Sequence, residues 1–503
     1  DSLLKSISRA GEIAKVAAPR VQKLSQKTRD LIQKRRQLQS HLEWSHLEWV
    51  LTNRALRQIW KEDRVRRLNE AVTEAVSRGN GWRKALSSQD VGRHMISRIQ
   101  NSAGHMVCQQ DEIERVFQDF YNELYRGNGG DGYTRVMEWE EWQPISIDEV
   151  HSCLSRLTSG KAPGRDGITG EMLRCGADIL APSLTGIFNN CLSGSIPDGF
   201  GDGRIILLGK GGDATLSKNY RPITLLPVVQ KTLTRVLNSR VAPVLDSERS
   251  INQMGFRSQY STLDVIFALN LVISNCREYQ LPLYLLFLDI QKAFDSVHSS
   301  VVYESLQTQG VHPKLVNFLY QLNKESDNVV VVNGREVPVQ IGRGVRQGDC
   351  LSPRLFSAAL DEAFKTLHWS KKGININGRY LSHLLFADDA VLISHDRRQI
   401  QCMVDELTVA LGKVGLSLNP AKTVAITSNP GGREVSIGGH RVRLVDRCAH
   451  LGQEVSLDES RFSTEIGRRI RAANFSFNKY RSILTSRTVP MSIKKRLFEG
   501  AIL

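Results

Sequence analysis

The chain has few cysteines for its length, and none of them forms a C-x-x-C pair. Eight cysteines are scattered over 503 residues, at positions 108, 153, 175, 191, 276, 350, 402 and 448. Zinc modules and disulfide-stapled domains both depend on closely and regularly spaced cysteines. The scatter argues against a zinc site and a disulfide scaffold, and it favours a reducing compartment.

Long apolar runs are also missing. No uninterrupted apolar stretch approaches the ~20 residues of a membrane span, and residues 1–30 lack the apolar core of a signal peptide. The sequence therefore predicts neither a membrane-spanning nor a secreted protein. Because the chain starts at Asp1 without a methionine, we expect it to be a piece of a longer polypeptide.

Acidic residues do not balance the basic ones. The chain has 67 Lys and Arg against 52 Asp and Glu, a formal net charge of +15, which favours nucleic acid as a partner before membrane. Residues 1–100 alone hold 21 Lys and Arg against 10 Asp and Glu. Apolar side chains at helical spacing in 26–39 and 51–72 predict basic helices. These helices either present an ordinary solvated face or grip nucleic-acid phosphates, and charge alone leaves both interpretations open.

From about residue 141 the composition becomes that of an α/β core. Short apolar runs at 203–210 and 282–290 predict buried strands, and residues 326–341 predict a hairpin around an Asn-Gly turn. Before this core, the glycine-rich stretch 125–134 predicts a loop. The core is therefore expected to contain a sheet, which a helical region precedes.

Helical periodicity returns later in the chain. Residues 352–369 predict a helix with Ser-Pro at its start, which suits a helix N-terminus. From about residue 456 the chain is basic and helical again, as in 466–484. The sequence thus divides into a basic helical region, a mixed core and a second helical region.

Two adjacent carboxylates stand inside the apolar stretch HLLFADDAVLIS, residues 383–394. The flanking runs predict two short strands, which would put Asp388 and Asp389 where the chain reverses. Two carboxylates ~4 Å apart repel by about 4 kcal/mol at an effective dielectric of ~20. A turn does not require both, since Asn-Gly or Asp-Gly serves better. An ordinary exposed turn is the competing interpretation.

A third aspartate follows another apolar run. LDIQKAFDSV, residues 288–297, places Asp289 at a predicted strand end and Phe294 five residues later. Alone, such an aspartate is more often a helix cap or a turn former. If this strand neighbours the hairpin, three carboxylates converge, and protonation or divalent cations must relieve their repulsion. Oxygen ligands with open positions suit Mg²⁺, and two such ions serve in-line phosphoryl transfer.

The order of LDIQKAFD (288–295), RQGDCLSP (346–353) and FADD (386–389) resembles motifs A, B and C of the reverse transcriptases of non-LTR, LINE-type retrotransposons. Further blocks are similar and follow in the expected order: KAPGRDGITGEML (161–173), GKGGD (209–213), NYRPITLLPVVQKTLTRVLNSRV (219–241), NQMGFRSQYSTLDVI (252–266), GLSLNPAKT (415–423) and HLGQEV (450–455). The resemblance covers about residues 160–455. The stretch GININGRYLSHLLFADDAVLI leans towards the RTE-like clade.

The resemblance implies an α+β fold of the right-hand polymerase type. Residues 1–140 would be a basic helical N-terminal extension, 141–455 the fingers and palm, and 456–503 the start of a helical thumb cut short at Leu503. Nothing before residue 140 resembles an apurinic-type endonuclease, and no zinc knuckle follows. We therefore expect the polymerase portion of such an element.

The resemblance also implies the reaction. It is RNA-directed DNA synthesis from a DNA 3′-hydroxyl, with dNTP substrates and two Mg²⁺ ions, or Mn²⁺ in their place. The partners would be an RNA template and a DNA primer or nicked target DNA, with no membrane. The expected site of action is the nucleus, after synthesis in the cytoplasm.

Carried over to this sequence, the family's motifs imply a role for each matching residue. Asp289, Asp388 and Asp389 would be the catalytic, metal-binding carboxylates. Phe294 would be a steric gate, because an aromatic face there clashes with a ribose 2′-hydroxyl and favours dNTPs over rNTPs. A plain core phenylalanine is the competing interpretation. His450 stands where the family usually has tyrosine, and both residues can stack on nucleic acid.

The remaining roles concern the nucleotide. Lys210 and Arg221 would hold the triphosphate, with arginine suited to bidentate phosphate contact. Gln347 and Gly348 would border nucleotide and template, where glycine lets the backbone approach closely. Lys422 would lie beside the leaving pyrophosphate, although a lone lysine is more often an ordinary surface residue. The block GKGGD has glycine where the family often has proline and a second lysine.

Two other functions fit parts of the pattern. A non-enzymatic nucleic-acid-binding remnant of such an element would use the basic helices, but it would not need convergent acids. An RNA-directed RNA polymerase would share the carboxylates, but it must admit the 2′-hydroxyl that Phe294 would exclude. The intact acids and the aromatic residue therefore favour a DNA-making enzyme.

Overall fold

The computed structural model of the chain describes residues 3, 5–7, 9, 10, 25–40, 46–77, 95–127, 133, 134, 142–429, 435–458, 461–487 and 489–502. Within them the protein is a mixed α+β molecule, as the sequence predicts. Contacts divide the chain into two compact units, one of Asp1–Lys15 with Ile96–Asp458 and the other of Val16–Met95 with Glu459–Leu503. The functional boundaries predicted at residues 140 and 455 stay predictions. Most of the predicted glycine-rich loop, residues 128–132, lies outside the described residues.

The helices are numbered in chain order. Within the described residues they are α1 (Gln26–Ser40), α2 (His46–Ser77), α3 (Gln110–Leu124), α4 (Ile147–Ser155), α5 (Gly170–Cys175), α6 (Ala177–Leu192), α7 (Val228–Glu248), α8 (Thr262–Glu278), α9 (Ala293–Ser296), α10 (Ser299–Thr308), α11 (Pro313–Lys324), α12 (Ser352–Lys365), α13 (Arg397–Lys413), α14 (Arg461–Leu484) and α15 (Met491–Ala501).

The strands are short. In chain order they are β1 (Ile99–Gln100), β2 (Met106–Val107), β3 (Gly203–Gly209), β4 (Tyr220–Leu225), β5 (Tyr284–Leu288), β6 (Asn328–Val332), β7 (Arg335–Val339), β8 (Ile374–Ile376), β9 (Arg379–Leu381), β10 (His383–Phe386), β11 (Asp389–Ser394), β12 (Val424–Thr427), β13 (Ser436–Ile437), β14 (His440–Arg441), β15 (Arg443–Leu444), β16 (Arg447–His450) and β17 (Gln453–Ser456).

A five-stranded sheet with the order β10-β11-β5-β12-β15 lies at the centre of the first unit. Its central strand β5 is antiparallel to both neighbours. Successive side chains of a strand point to opposite faces. Leu286 and Leu288 accordingly join one apolar cluster with α13, while Leu285 and Phe287 join another with α8. Both faces of the sheet are covered, which explains why the sequence of β5 is continuously apolar.

A second sheet has the order β4-β3-β6-β7. Strand β3 is antiparallel to β4 and parallel to β6. The predicted hairpin β6–β7 is confirmed, and Asn333 and Gly334 both have positive φ angles, 52° and 94°, as a type I′ turn requires. Phe117 and Tyr121 of the amphipathic helix α3 pack into the same apolar cluster as this sheet.

The helices predicted in 26–39, 51–72 and 466–484 are confirmed as α1, α2 and α14. The helix predicted over 352–369 is confirmed as α12, but it ends at Lys365. Trp369, beyond that end, is buried and donates a hydrogen bond from Nε1 to Glu406. None of the helices that the structure describes is both long and apolar enough to span a membrane.

Candidate active site

Strand pairing brings the predicted aspartates to one end of the five-stranded sheet. Leu288, the last residue of β5, pairs with Ala390 of β11. Asp289 follows Leu288 and Asp389 precedes Ala390, so continuing the antiparallel register sets the two aspartates opposite each other. The sequence predicted this convergence if the two strands were neighbours, and they are.

The hairpin between β10 and β11 turns one residue earlier than the sequence predicted. Phe386 pairs with Asp389, which leaves Ala387 and Asp388 as a two-residue loop. The prediction that both aspartates lie in the turn is therefore wrong for Asp389, which begins β11. Pairing can extend this far because Ala387 adopts a φ of +59°, in the left-handed region that favours glycine.

The carboxylates at this end of the sheet oppose one another's ionisation. Burial and the charge of Asp289 raise the pKa of Asp388. The pKa of Asp389 is raised to about 6 by desolvation and by the charges of Asp388 and Asp289. Two cations act against this repulsion, since Lys422 Nζ lies 3.8 Å from Asp289 Oδ2 and the charge of Arg221 opposes the rise in the pKa of Asp388. The site therefore favours binding of additional positive charge.

The aspartates provide the ligand type that a divalent metal ion prefers, but they are not arranged around a common point. Across the described ranges, no three or more His, Cys, Asp or Glu side chains are grouped closely enough to hold a metal ion. Carboxylate oxygens are nevertheless the ligands that Mg²⁺ takes in proteins, and Asp289 and Asp388 line one cavity. The carboxylate oxygens are therefore suitable ligands for Mg²⁺, although the described side chains are not grouped closely enough to form a complete metal site.

The cavity that Asp289 and Asp388 line has a volume of about 890 Å³, and most of the predicted site residues line it. Acidic, basic and aromatic side chains all line it. The predicted residues that line it are Lys210, Arg221, Asp289, Phe294, Gln347, Gly348, Asp388 and Lys422. Asp389 is not among its lining residues but is adjacent to Asp388.

The basic wall comes from the β3–β4 hairpin. Arg221 pairs with Leu208 across the two strands, and Lys210 follows the end of β3. The Lys210 amide donates a hydrogen bond to Asn219 O at 2.8 Å, which extends the hairpin. Burial lowers the pKa of Lys210, and the nearby Asp295 charge opposes that effect. The hairpin thus presents two cations to the cavity, where an anionic group can bind.

The turn that carries Gln347 and Gly348 is docked directly on β4. Thr224 N donates to Gln347 O at 2.7 Å. Gly348 has a φ of +130°, and a Cβ there would lie 2.3 Å from Thr224 O. Only glycine fits such a contact. Gln347 is therefore held in a fixed position relative to Arg221, three residues before Thr224.

Asp295 is a site residue that the sequence reasoning missed. It is buried on the cavity wall, and Gln347 Nε2 donates a hydrogen bond to its Oδ1 at 2.8 Å. Tyr125, just after α3, also hydrogen-bonds its side chain. Burial raises the pKa of Asp295 to about 6, although Gln347 and Lys292 act in the opposite direction. The available signal was the second aspartate of LDIQKAFD.

Phe294 is held from two sides. Its ring stacks on Phe356 of α12, with centroids 4.7 Å apart and planes at 20°. Phe256 meets it edge-on at 6.3 Å. Phe294 is half-buried and lines the cavity, so it is both a packing residue and part of the wall.

His450 does not present a ring for stacking on nucleic acid. It is buried and packs edge-on against Phe287, with centroids 5.1 Å apart. Burial lowers its pKa to about 4. The prediction that His450 can stack on nucleic acid is therefore wrong, because its ring is buried against Phe287 on one face of the central sheet.

Comparison with known proteins decides the identity of this region. Residues 209–455, which contain both the cavity and the sheet, match the family described as reverse transcriptase (RNA-dependent DNA polymerase). This segment is a reverse transcriptase domain. All nine predicted site residues fall within it.

Proteins of transposable elements are similar to the reverse transcriptase domain and its surroundings. The uncharacterized 149 kDa protein of transposon TX1 from Xenopus laevis is 27% identical over 341 residues, 64% of this chain and 26% of that protein. The Pol polyprotein of the type-2 retrotransposable element R2DM from Drosophila melanogaster is 30% identical, with 58% and 27% covered. The RNA-directed DNA polymerase from mobile element jockey of the same species is 32% identical, with 42% and 24% covered. The chain thus spans about a quarter of the length of these relatives.

Telomerases are similar among the solved structures, although the overlap is limited. Apo telomerase from Candida tropicalis, truncated from its C-terminal domain, has a TM-score of 0.38 and 15% identity, with 55% of this chain and 59% of that chain covered. The same enzyme with a fragment of telomeric RNA has a TM-score of 0.38 and 14% identity, with 64% and 56% covered. The assignment of the reverse transcriptase domain does not depend on these overlaps.

Proposed function

We propose that the chain is the RNA-directed DNA polymerase portion of a non-LTR retrotransposon protein. The observation that carries this proposal is one cavity, inside a reverse transcriptase domain, that joins Asp289 and Asp388 to Lys210, Arg221 and Phe294. The five-stranded sheet would be the palm, the β3–β4 sheet part of the fingers, and α14 and α15 the start of the thumb. Within this class, the RTE-like clade is the finer proposal, on the stretch around FADD.

The acids of the cavity would serve the reacting hydroxyl and the metal. Asp289, Asp388 and Asp389 would hold two Mg²⁺ ions, or Mn²⁺, which when bound supply activation of the primer 3′-hydroxyl and stabilisation of the leaving oxygen. Their mutual repulsion supports this role, because bound cations relieve it.

The other walls of the cavity would bind the nucleotide. Lys210 and Arg221 would hold the triphosphate of a dNTP, and Lys422, close to Asp289, would lie beside the leaving pyrophosphate. Gln347 and Gly348 would border the base pair. Phe294 would exclude a ribose 2′-hydroxyl, a role that its support by Phe356 favours, since a gate must not move aside.

The proposed partners are an RNA template and a DNA primer. For the retrotransposon this primer would be the nicked target DNA, so the proposed site of action is the nucleus. The net charge of +15 supports a polyanionic partner. The exposed cations of α2 support the interpretation that the N-terminal helices grip phosphates.

Primer extension on an RNA template, with dNTPs and Mg²⁺, tests the proposal. The wild type is expected to extend the primer, and a variant with both Asp388→Asn and Asp389→Asn is expected to lose extension while it keeps RNA binding. Asp198→Asn, an exposed position that does not line the cavity, is the matched control and should remain active.

Equal extension by the wild type and the double variant would refute the assignment of the acids. RNA binding without extension, also in a longer protein that includes more of the C-terminal region, would instead support a nucleic-acid-binding remnant.

A further inference from the structure

We propose that Gln253 is a positioning residue that clamps the Ala387–Asp388 turn. The inference rests on the proposed function, because its purpose is to hold the Asp388 carboxylate in place. Gln253 lies 134 residues before Ala387 and is fully buried, and it does not line the active-site cavity.

One side chain satisfies both backbone polar groups of Ala387. Gln253 Oε1 accepts a hydrogen bond from Ala387 N at 3.1 Å, and Nε2 donates to Ala387 O at 3.2 Å. The same Oε1 accepts from Gly255 N at 2.9 Å. If the Gln253 side-chain amide were flipped, its NH₂ group would face the N–H groups of Ala387 and Gly255. The hydrogen bonds therefore define the orientation of the Gln253 amide.

The turn needs such a clamp because its conformation is unfavourable. Ala387, at φ +59°, stands at the first loop position, where glycine is the usual residue of a two-residue turn with this backbone. Its N–H and C=O are also buried, and without partners each would cost free energy. Strained backbone of this kind persists only where the surroundings over-determine it. The two hydrogen bonds from Gln253 supply this constraint at Ala387.

The clamp is itself firmly attached. Met254 N donates to Leu385 O at 3.0 Å, and Leu385 N donates to Asn252 O at 2.8 Å, so the segment pairs with β10. A Cβ on Gly255 would lie 2.1 Å from Ala387 N, which shows how closely the two backbones approach. Behind them, Arg249 Nη1 donates to Gly255 O at 3.2 Å.

The chemistry selects glutamine at this position. The side chain at this position must accept hydrogen bonds from the N–H groups of Ala387 and Gly255 and donate one to Ala387 O. A primary amide can do both. Leucine has neither, and glutamate lacks the donor while it adds a negative charge near Asp388. When the clamp is lost, Ala387 can relax towards negative φ, and Asp388, the next residue, moves with it.

The test compares Gln253→Leu with Gln309→Leu in the full chain. Gln309 is also buried and donates from Nε2 to Ala358 O at 3.0 Å, so its amide binds the backbone of α12 and not that of the turn. Gln253→Leu is expected to lower kcat in primer extension by about 10- to 100-fold and to raise the Mg²⁺ concentration for half-maximal activity. The KM for dNTP should change less than about twofold. Gln309→Leu should lose stability only.

Two further measurements separate the clamp from general destabilisation. Hydrogen exchange of a peptide covering residues 383–394 should accelerate in Gln253→Leu but not in Gln309→Leu, whether or not the protein is active. In an Ala387→Gly background, where glycine accepts the positive φ, Gln253→Leu should cost less kcat than in the wild type.

Unchanged exchange of this peptide, or an equal loss of kcat in both backgrounds, would overturn the clamp. If the wild type lacks polymerase activity, also in the longer protein, while the exchange of this peptide still differs between the wild type and Gln253→Leu, the proposed function is refuted and the clamp stands.

Discussion

Asp295 shows how the surroundings of a single residue decide its charge. The carboxylate is buried beside Gln347, and desolvation outweighs the nearby cations, so its pKa rises to about 6. An acid with a raised pKa is best accommodated when it is protonated. The folded protein therefore loses stability from this group as the pH rises from about 4, where the unfolded chain titrates, to about 6.

Asp295→Asn is expected to remove this pH dependence, because asparagine imitates the neutral acid and still accepts from Gln347. The variant should be more stable than the wild type by up to about 3 kcal/mol at pH 7.5, since one pKa unit corresponds to ~1.4 kcal/mol. The difference should shrink towards zero at pH 4. Urea unfolding at both pH values measures it, with Asp198→Asn as control. A difference that does not vary with pH would contradict the assigned burial.

Phe294→Ala is expected to admit ribonucleotides. Removing the ring opens the cavity wall, so the ratio of rNTP to dNTP incorporation should rise about tenfold or more. Single-nucleotide incorporation on an RNA template measures this ratio. Phe267→Ala, at an exposed position of α8, is the control and should leave the ratio unchanged. If Phe294→Ala behaves in the same way, the residue is only a packing residue.

At the scale of elements, two tight turns assemble the cavity. One is the β10–β11 turn, where Ala387 accepts a left-handed backbone. The other carries Gly348, whose backbone touches Thr224 of β4. Each turn lies against a segment that is distant in the chain, residues 252–255 for the first turn and β4 for the second. At Gly255 and at Gly348 the close approach of the two backbones leaves no room for a Cβ.

Gly348→Ala is expected to push this turn away from β4. Both its φ of +130° and the 2.3 Å contact oppose a Cβ, so the free energy of unfolding should fall by about 1–3 kcal/mol and the KM for dNTP should rise. Urea unfolding and steady-state kinetics measure the two effects. Gly412→Ala in α13, where a Cβ meets nothing within 4 Å, is the control and should be neutral or slightly stabilising. Equal behaviour of the two variants would disprove the contact.

At the scale of the whole molecule, positive charge is the feature that relates the chain to its partners. Helix α2 exposes Arg54, Arg57 and Lys61 at spacings of three and four residues, which places them on one face. Such a row can follow a phosphate backbone, and each neutralised phosphate adds to the salt dependence of binding.

Reversing two of these charges, Arg57→Glu with Lys61→Glu, is expected to lower RNA affinity about tenfold and to make its dependence on salt concentration shallower. Fluorescence anisotropy at 50 and 200 mM salt, roughly the range over which such contacts are lost, measures both effects. Lys371→Glu with Lys413→Glu changes the net charge equally at exposed positions of the other unit. The same loss in both double variants would show that only net charge matters.

The elements themselves could largely be predicted from the sequence, because their signals are local. The apolar run of β5, the Asn-Gly turn between β6 and β7 and the basic periodicity of α1 and α2 each follow from side-chain spacing or turn chemistry. The motif order also indicated Asp289, Asp388 and Asp389 as candidate acids before any strand pairing was known.

The tertiary structure alone decided what depends on contacts between distant segments. Register made Asp389 part of β11 rather than of the turn, and burial moved His450 into the core. Packing against Gln347 turned Asp295 into a site residue, and the approach of residues 252–255 to Ala387 created the Gln253 clamp. Local sequence cannot predict such effects, because burial and hydrogen-bond partners belong to pairs of residues that only the fold brings together.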